Sequence, residues 1–251
     1  MKKLLAVLLS LLMLCAFVGC GNDGAKTGDN TKTTLIMATN AEFPPYEYHE
    51  GNDIIGIDAE IAAAIAEKLN MELEIQDMAF DATLVALSTG QVDMVMAGLT
   101  VTEDRKENAN FSDTYAEGHQ VIIVKEDSTI TGPDDLPGKT IGVQTNTTGD
   151  IYATGDYGEE AMKRYNKGAD AVMALNQGLI DAVIIDREPA RSFVASNEGL
   201  KILETEYATE EYAIAINKDD TELLEQVNGA LKELIADGTV QDILDKYIPA
   251  E

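Results

Sequence analysis

The chain has 251 residues and carries 45 Asp and Glu against 18 Lys and Arg, a formal charge of −27 at pH 7. So acidic a body repels phosphate backbones and anionic lipid surfaces, and no nucleic-acid partner is expected. Both cysteines, Cys15 and Cys20, fall within the first twenty residues, and His49 and His119 stand in no metal-ligand spacing, so no disulfide, metal centre or cofactor is expected.

The N-terminus reads as a targeting segment. Lys2 and Lys3 precede an apolar stretch from Leu4 to Val18 that only Ser10 interrupts, too short for a comfortable membrane span. Phe17-Val18-Gly19-Cys20 resembles a bacterial lipobox, with Phe17 where Leu is usual, so residues 1–19 are expected to be a lipoprotein signal peptide and Cys20 the lipidated residue. Removing Lys2 and Lys3 takes the formal charge to −29. Gly21 to Thr33 is Gly, Asn, Asp, Lys and Thr with Ala25 the one aliphatic residue, a flexible tether. Beyond it lies a body of about 220 residues, enough for one large domain or two modest ones.

Along the body, strands and helices alternate. Thr34 to Thr39 reads as a strand running into Pro44-Pro45, where a helix cannot continue. Asp58 to Leu69 is expected to be helical, with Ile57, Ile61, Ile65 and Leu69 on one stripe. Met71 to Ile75 alternates as a strand, and Asp81 to Thr89 follows as a helix. Further strands are expected at Gln120 to Lys125, Thr140 to Gln144, Ala182 to Ile185 and Tyr212 to Ile216. Helices are expected at Glu159 to Tyr165, Ala169 to Asn176, the amphipathic Thr221 to Ala236, and a short final one after Gly238. This alternation predicts an α/β fold with mostly parallel sheets. An internal echo supports two related lobes: Ala86-Leu87-Ser88-Thr89-Gly90-Gln91-Val92-Asp93 recurs 88 positions later as Ala174-Leu175-Asn176-Gln177-Gly178-Leu179-Ile180-Asp181. In both, a helix ends on Gly and an Asp precedes an apolar strand.

Arg105 breaks the local pattern. Thr102 is a natural N-cap with Glu103 and Asp104 in the first turn, which puts Arg105 at the third helical position, where a capping box carries Glu or Gln. Either its guanidinium reaches sideways to a surface carboxylate, or it shares a small anion with the helix amides. In parallel α/β sheets, ligands bind beyond the carboxyl ends of strands. Three strand ends carry suitable residues: Ala97-Gly98-Leu99-Thr100, the loop from Gln144 through Thr147 and Thr148 to Gly149, and Asp186.

The segments ATNAEFPPYEY, GIDAEIAAAIAEKL, VDMVMAGLTVTEDR, FSDTY, LPGKTIGVQTNTTG, LIDAVIID and NGALKELIADGTVQDILDKY, in this order from Leu35 to Tyr247, together resemble the polar-amino-acid-binding proteins of ABC importers. The resemblance implies a two-lobed periplasmic-binding fold of type II, with a ligand cleft between lobes joined by two hinge strands. Lobe 1 would comprise 34–118 plus 213–251, and lobe 2 would comprise 119–212, behind the leader at 1–19 and the lipidated tether at 20–33. By the same resemblance Arg105 forks onto the ligand α-carboxylate, Thr100 lies between carboxylate and amine, and Gly98 offers backbone groups. Thr147 and Thr148 would cap the carboxylate and Asp186 would pair with the α-ammonium, the plainer reading of a strand-end Asp being a helix N-cap. Phe43 and Phe80 would sandwich the ligand side chain. Asn40 stands where many members have a side-chain-reading Asp, and Ala97 where several have Ser. Glu42 and Glu47 could supply a missing charge but read as solvated loop residues.

The implied partners are a free amino acid, the transmembrane subunits of an ABC permease, and the outer face of the cell membrane through Cys20, with the chain acting as a monomer. A sensory receptor working through a membrane partner is the second reading. An enzyme on the same scaffold, such as a dehydratase, needs a placed acid or base, and no Ser-His-Asp set or paired-carboxylate motif offers one.

Overall fold

The structure, a computed structural model, describes residues 33–248. Strand β1 (Thr34–Thr39) alternates Leu35 and Met37 inward and leads into a small antiparallel ribbon, β2 (Glu42–Phe43), β3 (Glu47–Glu50) and β4 (Asp53–Ile55). Helix α1 (Ile57–Lys68) buries Ile57, Ile61 and Ile65 on the expected stripe, and β5 (Glu72–Asp77) returns parallel to β1. Helix α2 (Phe80–Ser88), the two-residue β6 (Met94–Val95) and the short α3 (Glu103–Asn108) complete this part of the chain.

Then β7 (Ala109–Lys125) runs for 17 residues, three times the expected length, into a second α/β unit. That unit holds β8 (Ile141–Gln144), α4 (Thr148–Tyr157), β9 (Met162–Tyr165), α5 (Gly168–Asn176), β10 (Ala182–Asp186), α6 (Arg187–Ala195) and β11 (Leu200–Ile202). Strand β12 (Ala208–Asn217) carries the chain back, antiparallel to β7 from Ala208 opposite Gln120 to Asn217 opposite Ala109. Helices α7 (Thr221–Ala236) and α8 (Thr239–Tyr247) close the first unit, where Leu231, Leu234 and Val240 join the Ile61 and Ile65 cluster.

The strand order β5-β1-β6-β12-β7-β10-β8-β9 corrects the expectation of mostly parallel sheets. The flanks are parallel, but β6–β12, β12–β7 and β7–β10 are antiparallel, because the chain crosses out on β7 and returns on β12. Each flank is covered on both faces. The period of two makes this explicit: Val121, Ile123, Val183 and Ile185 enter one cluster, while Ile122, Val124, Ala182 and Ile184 enter the one on the opposite face. The result is a two-lobed α/β molecule in which Phe43 packs against clusters of both lobes.

Three elements differ from expectation. Glu159 to Tyr165 is a 3₁₀ turn over Glu159–Ala161 followed by β9, whose register places Met162 opposite Ile141. Gly158, at φ 86°, stops α4 and keeps a helix from continuing there. Helix α4 itself escapes the sequence reading because Gly149, Thr154 and Gly155 are weak helix formers, and α6 does because Pro189 occupies its first turn, where proline is tolerated.

Candidate functional site

A cavity lies between the strand ends, and all ten residues singled out from the sequence line it: Asn40, Phe43, Phe80, Ala97, Gly98, Thr100, Arg105, Thr147, Thr148 and Asp186. Cys20 and the leader lie outside the described residues.

Arg105 is only 8 % exposed. Thr102 caps α3 and accepts the Arg105 amide, which fixes the side chain's point of departure. Its guanidinium lies 5.5 Å over the Phe80 ring and donates to the carbonyl oxygens of Thr100 (2.7 Å) and Asn146 (3.2 Å). No carboxylate among the described residues pairs with it, so the surface-carboxylate alternative falls. Burial accordingly lowers its pKa from the usual guanidinium value.

Asp186, 2 % exposed, ends β10 and caps α6. Its carboxylate accepts from the Glu188 amide (3.1 Å), the His119 amide (3.0 Å) and the Tyr212 hydroxyl (2.7 Å). Burial pushes the carboxyl up to about 7 against the pull of these three donors. Helix capping and cavity lining thus coexist in one residue. No cation among the described residues pairs with it.

The remaining residues divide by how much of their hydrogen-bonding capacity the protein already uses. Thr147 caps α4, accepting the Asp150 amide and donating to Gln144 O at 2.8 Å. Thr148 faces the Thr100 hydroxyl at 3.4 Å. Asn40 donates to Met78 O (3.0 Å) and accepts from the Gln144 amide (2.9 Å). Gly98 has φ 52° and gives its N–H to Asp58, and a Cβ there would come within 2.7 Å of the Phe43 ring, so the position requires glycine. Phe43 stacks at 5.8 Å on Tyr46, while Ala97 contributes only its methyl group.

Glu47 is the clear correction to the sequence reading. Expected in solvent, it is fully buried, lines the cavity, and has no hydrogen-bond partner at either carboxylate oxygen. Burial, with Asp58 as its charged neighbour, pushes its pKa well above the carboxylate range. Asp58, also fully buried, is pushed up to about 6 by desolvation, which the Gly98 amide and Tyr115 hydroxyl oppose. Glu42 instead pairs with Lys167 at the surface. Gln144, at the head of the strand-end loop, also lines the cavity, as do Gln120, Ile185 and Tyr212, which went unread as site residues in the sequence. No local pattern signalled Glu47, since Tyr46 and Glu47 are both buried rather than alternating, and Gln120 needed the β7–β10 register that sets it opposite Asp186.

Among the described residues no group of His, Cys, Asp and Glu is placed to hold a metal ion, and no helix is long and apolar enough to cross a membrane.

A two-lobed α/β fold with a charged cleft between the lobes defines a solute-binding protein. The chain belongs to the bacterial extracellular solute-binding proteins, family 3, whose pattern matches residues 35–250. It is 35 % identical over 258 residues to the arginine-binding extracellular protein ArtP of Bacillus subtilis (strain 168), covering 100 % of both chains. Among solved structures it is similar to the arginine-, lysine-, histidine-binding protein ArtJ of Geobacillus stearothermophilus, with a TM-score of 0.83, 34 % identity, and 87 % and 96 % of the two chains covered. It is also similar to an ancestral arginine-binding protein bound to glutamine, with a TM-score of 0.82, 38 % identity, and 87 % and 99 % covered. The fold is the type II periplasmic-binding arrangement, and the protein is extracytoplasmic and a member of a family of binding proteins.

Proposed function

We propose that the protein captures a free L-amino acid with a cationic side chain and delivers it to the transmembrane subunits of an ABC permease. The observation that carries this reading is a pair of buried, opposite charges in one cavity. Arg105 lacks a carboxylate and Asp186 lacks a cation among the described residues, and an α-amino acid zwitterion supplies both. The guanidinium fork suits the α-carboxylate, with Thr148 and the first turn of α4 on its other side. Asp186 takes the α-ammonium, with Thr100 and the backbone of Gly98 beside it.

The far end of the cavity favours a cationic side chain. Asn40, standing where an Asp would read the ligand, has its groups engaged by Met78 and Gln144, but Glu47 places a buried carboxyl beside Asp58. Burial holds the Glu47 carboxyl protonated, and an incoming cation would favour its ionised form. The arginine-binding names of the relatives agree with this. Phe43 and Phe80 flank the aliphatic stem. We read the site as returning its ligand unchanged, with Asp186 serving as an ion-pair partner rather than a proton shuttle.

Capture works by closure. Lobe 1 (34–118 plus 213–251) and lobe 2 (119–212) meet through Asn40–Gln144, Arg105–Asn146 and Thr100–Thr148, and the two crossings on β7 and β12 act as the hinge. Each lobe brings half the ligand contacts, so a ligand favours the shut form by its differential affinity for it. Cys20 and the tether would hold this monomer at the outer face of the membrane.

A thermal-shift panel of the proteinogenic amino acids and L-ornithine, on protein beginning after the tether, tests the reading. L-Arginine, L-lysine or L-ornithine at 100 times its dissociation constant should stabilise by about 2.7 kcal/mol. If none of the panel raises the melting temperature, the reading fails.

A further inference from the structure

Tyr212 lies between the lobes in a way that the binding reading leaves unused. Its ring is 1 % exposed and belongs to the core of the first lobe, with Ile61, Met94 and Ile214, and it meets the Tyr46 ring edge-on at 5.2 Å. Its backbone is bridged to Thr100, and the next amide, Ala213, donates to Leu99 O at 3.1 Å, so Tyr212 is tied to the loop that leads to Arg105. Although the expected lobe boundary falls immediately after it, its ring packs within lobe 1, and its hydroxyl reaches across to lobe 2, donating to Asp186 Oδ2 at 2.7 Å. The path to that oxygen is cleared by Gly118 on β7, where a Cβ would stand 2.6 Å from the hydroxyl and 2.5 Å from the ring carbon that bears it.

The same oxygen also accepts the His119 amide, and the other carboxylate oxygen accepts the Glu188 amide. Two donors are therefore backbone groups belonging to lobe 2, and the third is a single side chain from the opposing core. A hydroxyl donated to a carboxylate stabilises its ionised form and restricts its rotation. An ammonium ligand requires both.

We propose that Tyr212 is the positioning residue of the ammonium subsite, holding the Asp186 carboxylate of one lobe from the packed core of the other. This rests on the amino-acid-binding reading and adds a residue that does not itself need to touch the ligand. The phenol cannot serve as an acid or base here, since burial and the neighbouring Asp186 hold its pKa well above its ordinary value. The other ionisable groups acting on this pair are Glu210 on β12, Tyr46 and Glu47 in and beside the β2–β4 ribbon, and Arg105 on α3. Glu210, Glu47 and Tyr46 disfavour an ionised Asp186, Arg105 makes no ion pair with it, and the hydrogen-bond donors sustain the carboxylate.

Tyr212→Phe removes the hydroxyl and leaves the ring in the core. Calorimetric titration with L-arginine from pH 5.5 to 9, on wild type and variant, gives the test. Without its donor Asp186 ionises at higher pH, so the variant's affinity should fall about 10- to 100-fold near pH 6 and by markedly less at pH 9. A loss that is equal at every pH, or no loss, overturns the positioning role while leaving amino-acid binding intact. Failure of the wild type to bind L-arginine, L-lysine or L-ornithine at any pH overturns the cationic-ligand reading, and this proposal with it.

Discussion

Arg105 is held in place before any ligand arrives. Carbonyl oxygens and an aromatic face orient its guanidinium, but none of them neutralises it. The net energetic role of such a group differs between the empty and occupied protein. In the empty state a buried charge without a counter-ion costs stability, and in the occupied state it carries much of the affinity. Arg105→Ala should therefore cost on the order of 3–5 kcal/mol of L-arginine binding by leaving the ligand carboxylate unpaired. Arg105→Lys should recover only part of this, because an ammonium offers charge without the planar fork. Calorimetry on both variants checks the order wild type, Lys, Ala, and near-normal binding by the Ala variant would refute the carboxylate assignment.

The elements that place these side chains are short and depend on caps. Thr147 holds the start of α4, and Thr148 and Gly149 follow at its first two positions. Thr147→Ala should cost about 1 kcal/mol of stability in chemical denaturation, and should weaken ligand binding through the loss of the cap that places Thr148. Equal stability of the variant would show that the cap is redundant. Elements of this kind explain what the sequence showed and what it concealed. The α3 start was readable to the residue, since Thr102, Glu103 and Asp104 are local signals, and so were the stripes of α1 and α7. Residues at strand ends were readable because the α/β alternation assigns function there, and the family resemblance then singled out all ten. Glu47 was not, because its burial depends on the ribbon folding over α1, which no local signal encodes. Nor was Tyr212, whose partner Asp186 is 26 residues away across the β7–β12 crossing. The helix wrongly expected over Glu159 to Tyr165 yielded to pairing with β8, a tertiary choice that overrides propensity.

At the scale of the whole molecule, three buried carboxyls set opposite pH dependences for the empty and the loaded protein. Asp186 is pushed up to about 7 and Asp58 to about 6, and Glu47 is raised well above its ordinary value, in each case chiefly by burial. Between the unfolded carboxylate range near 4 and these raised values, the native state binds more protons than the unfolded chain. Its stability must then fall as pH rises through that window. The surface carboxyls held low by partners, such as Glu159 beside Arg164, act in the other direction only as pH falls below the unfolded range. Self-repulsion within so acidic a chain adds to the loss at higher pH. The unliganded protein should therefore melt at a higher temperature at pH 5.5 than at pH 8. Ligand binding runs the opposite way, because pairing with an ammonium requires Asp186 ionised, and below about pH 7 a proton must leave as the ligand enters. The rise in melting temperature on saturation with L-arginine should accordingly be larger at pH 8 than at pH 5.5, and the binding enthalpy at pH 6 should vary with the ionisation enthalpy of the buffer. An unliganded melting temperature that climbs from pH 5.5 to 8, or a ligand shift that is the same at both, would mean that these carboxyls ionise normally and that the cleft is wetter than its burial implies.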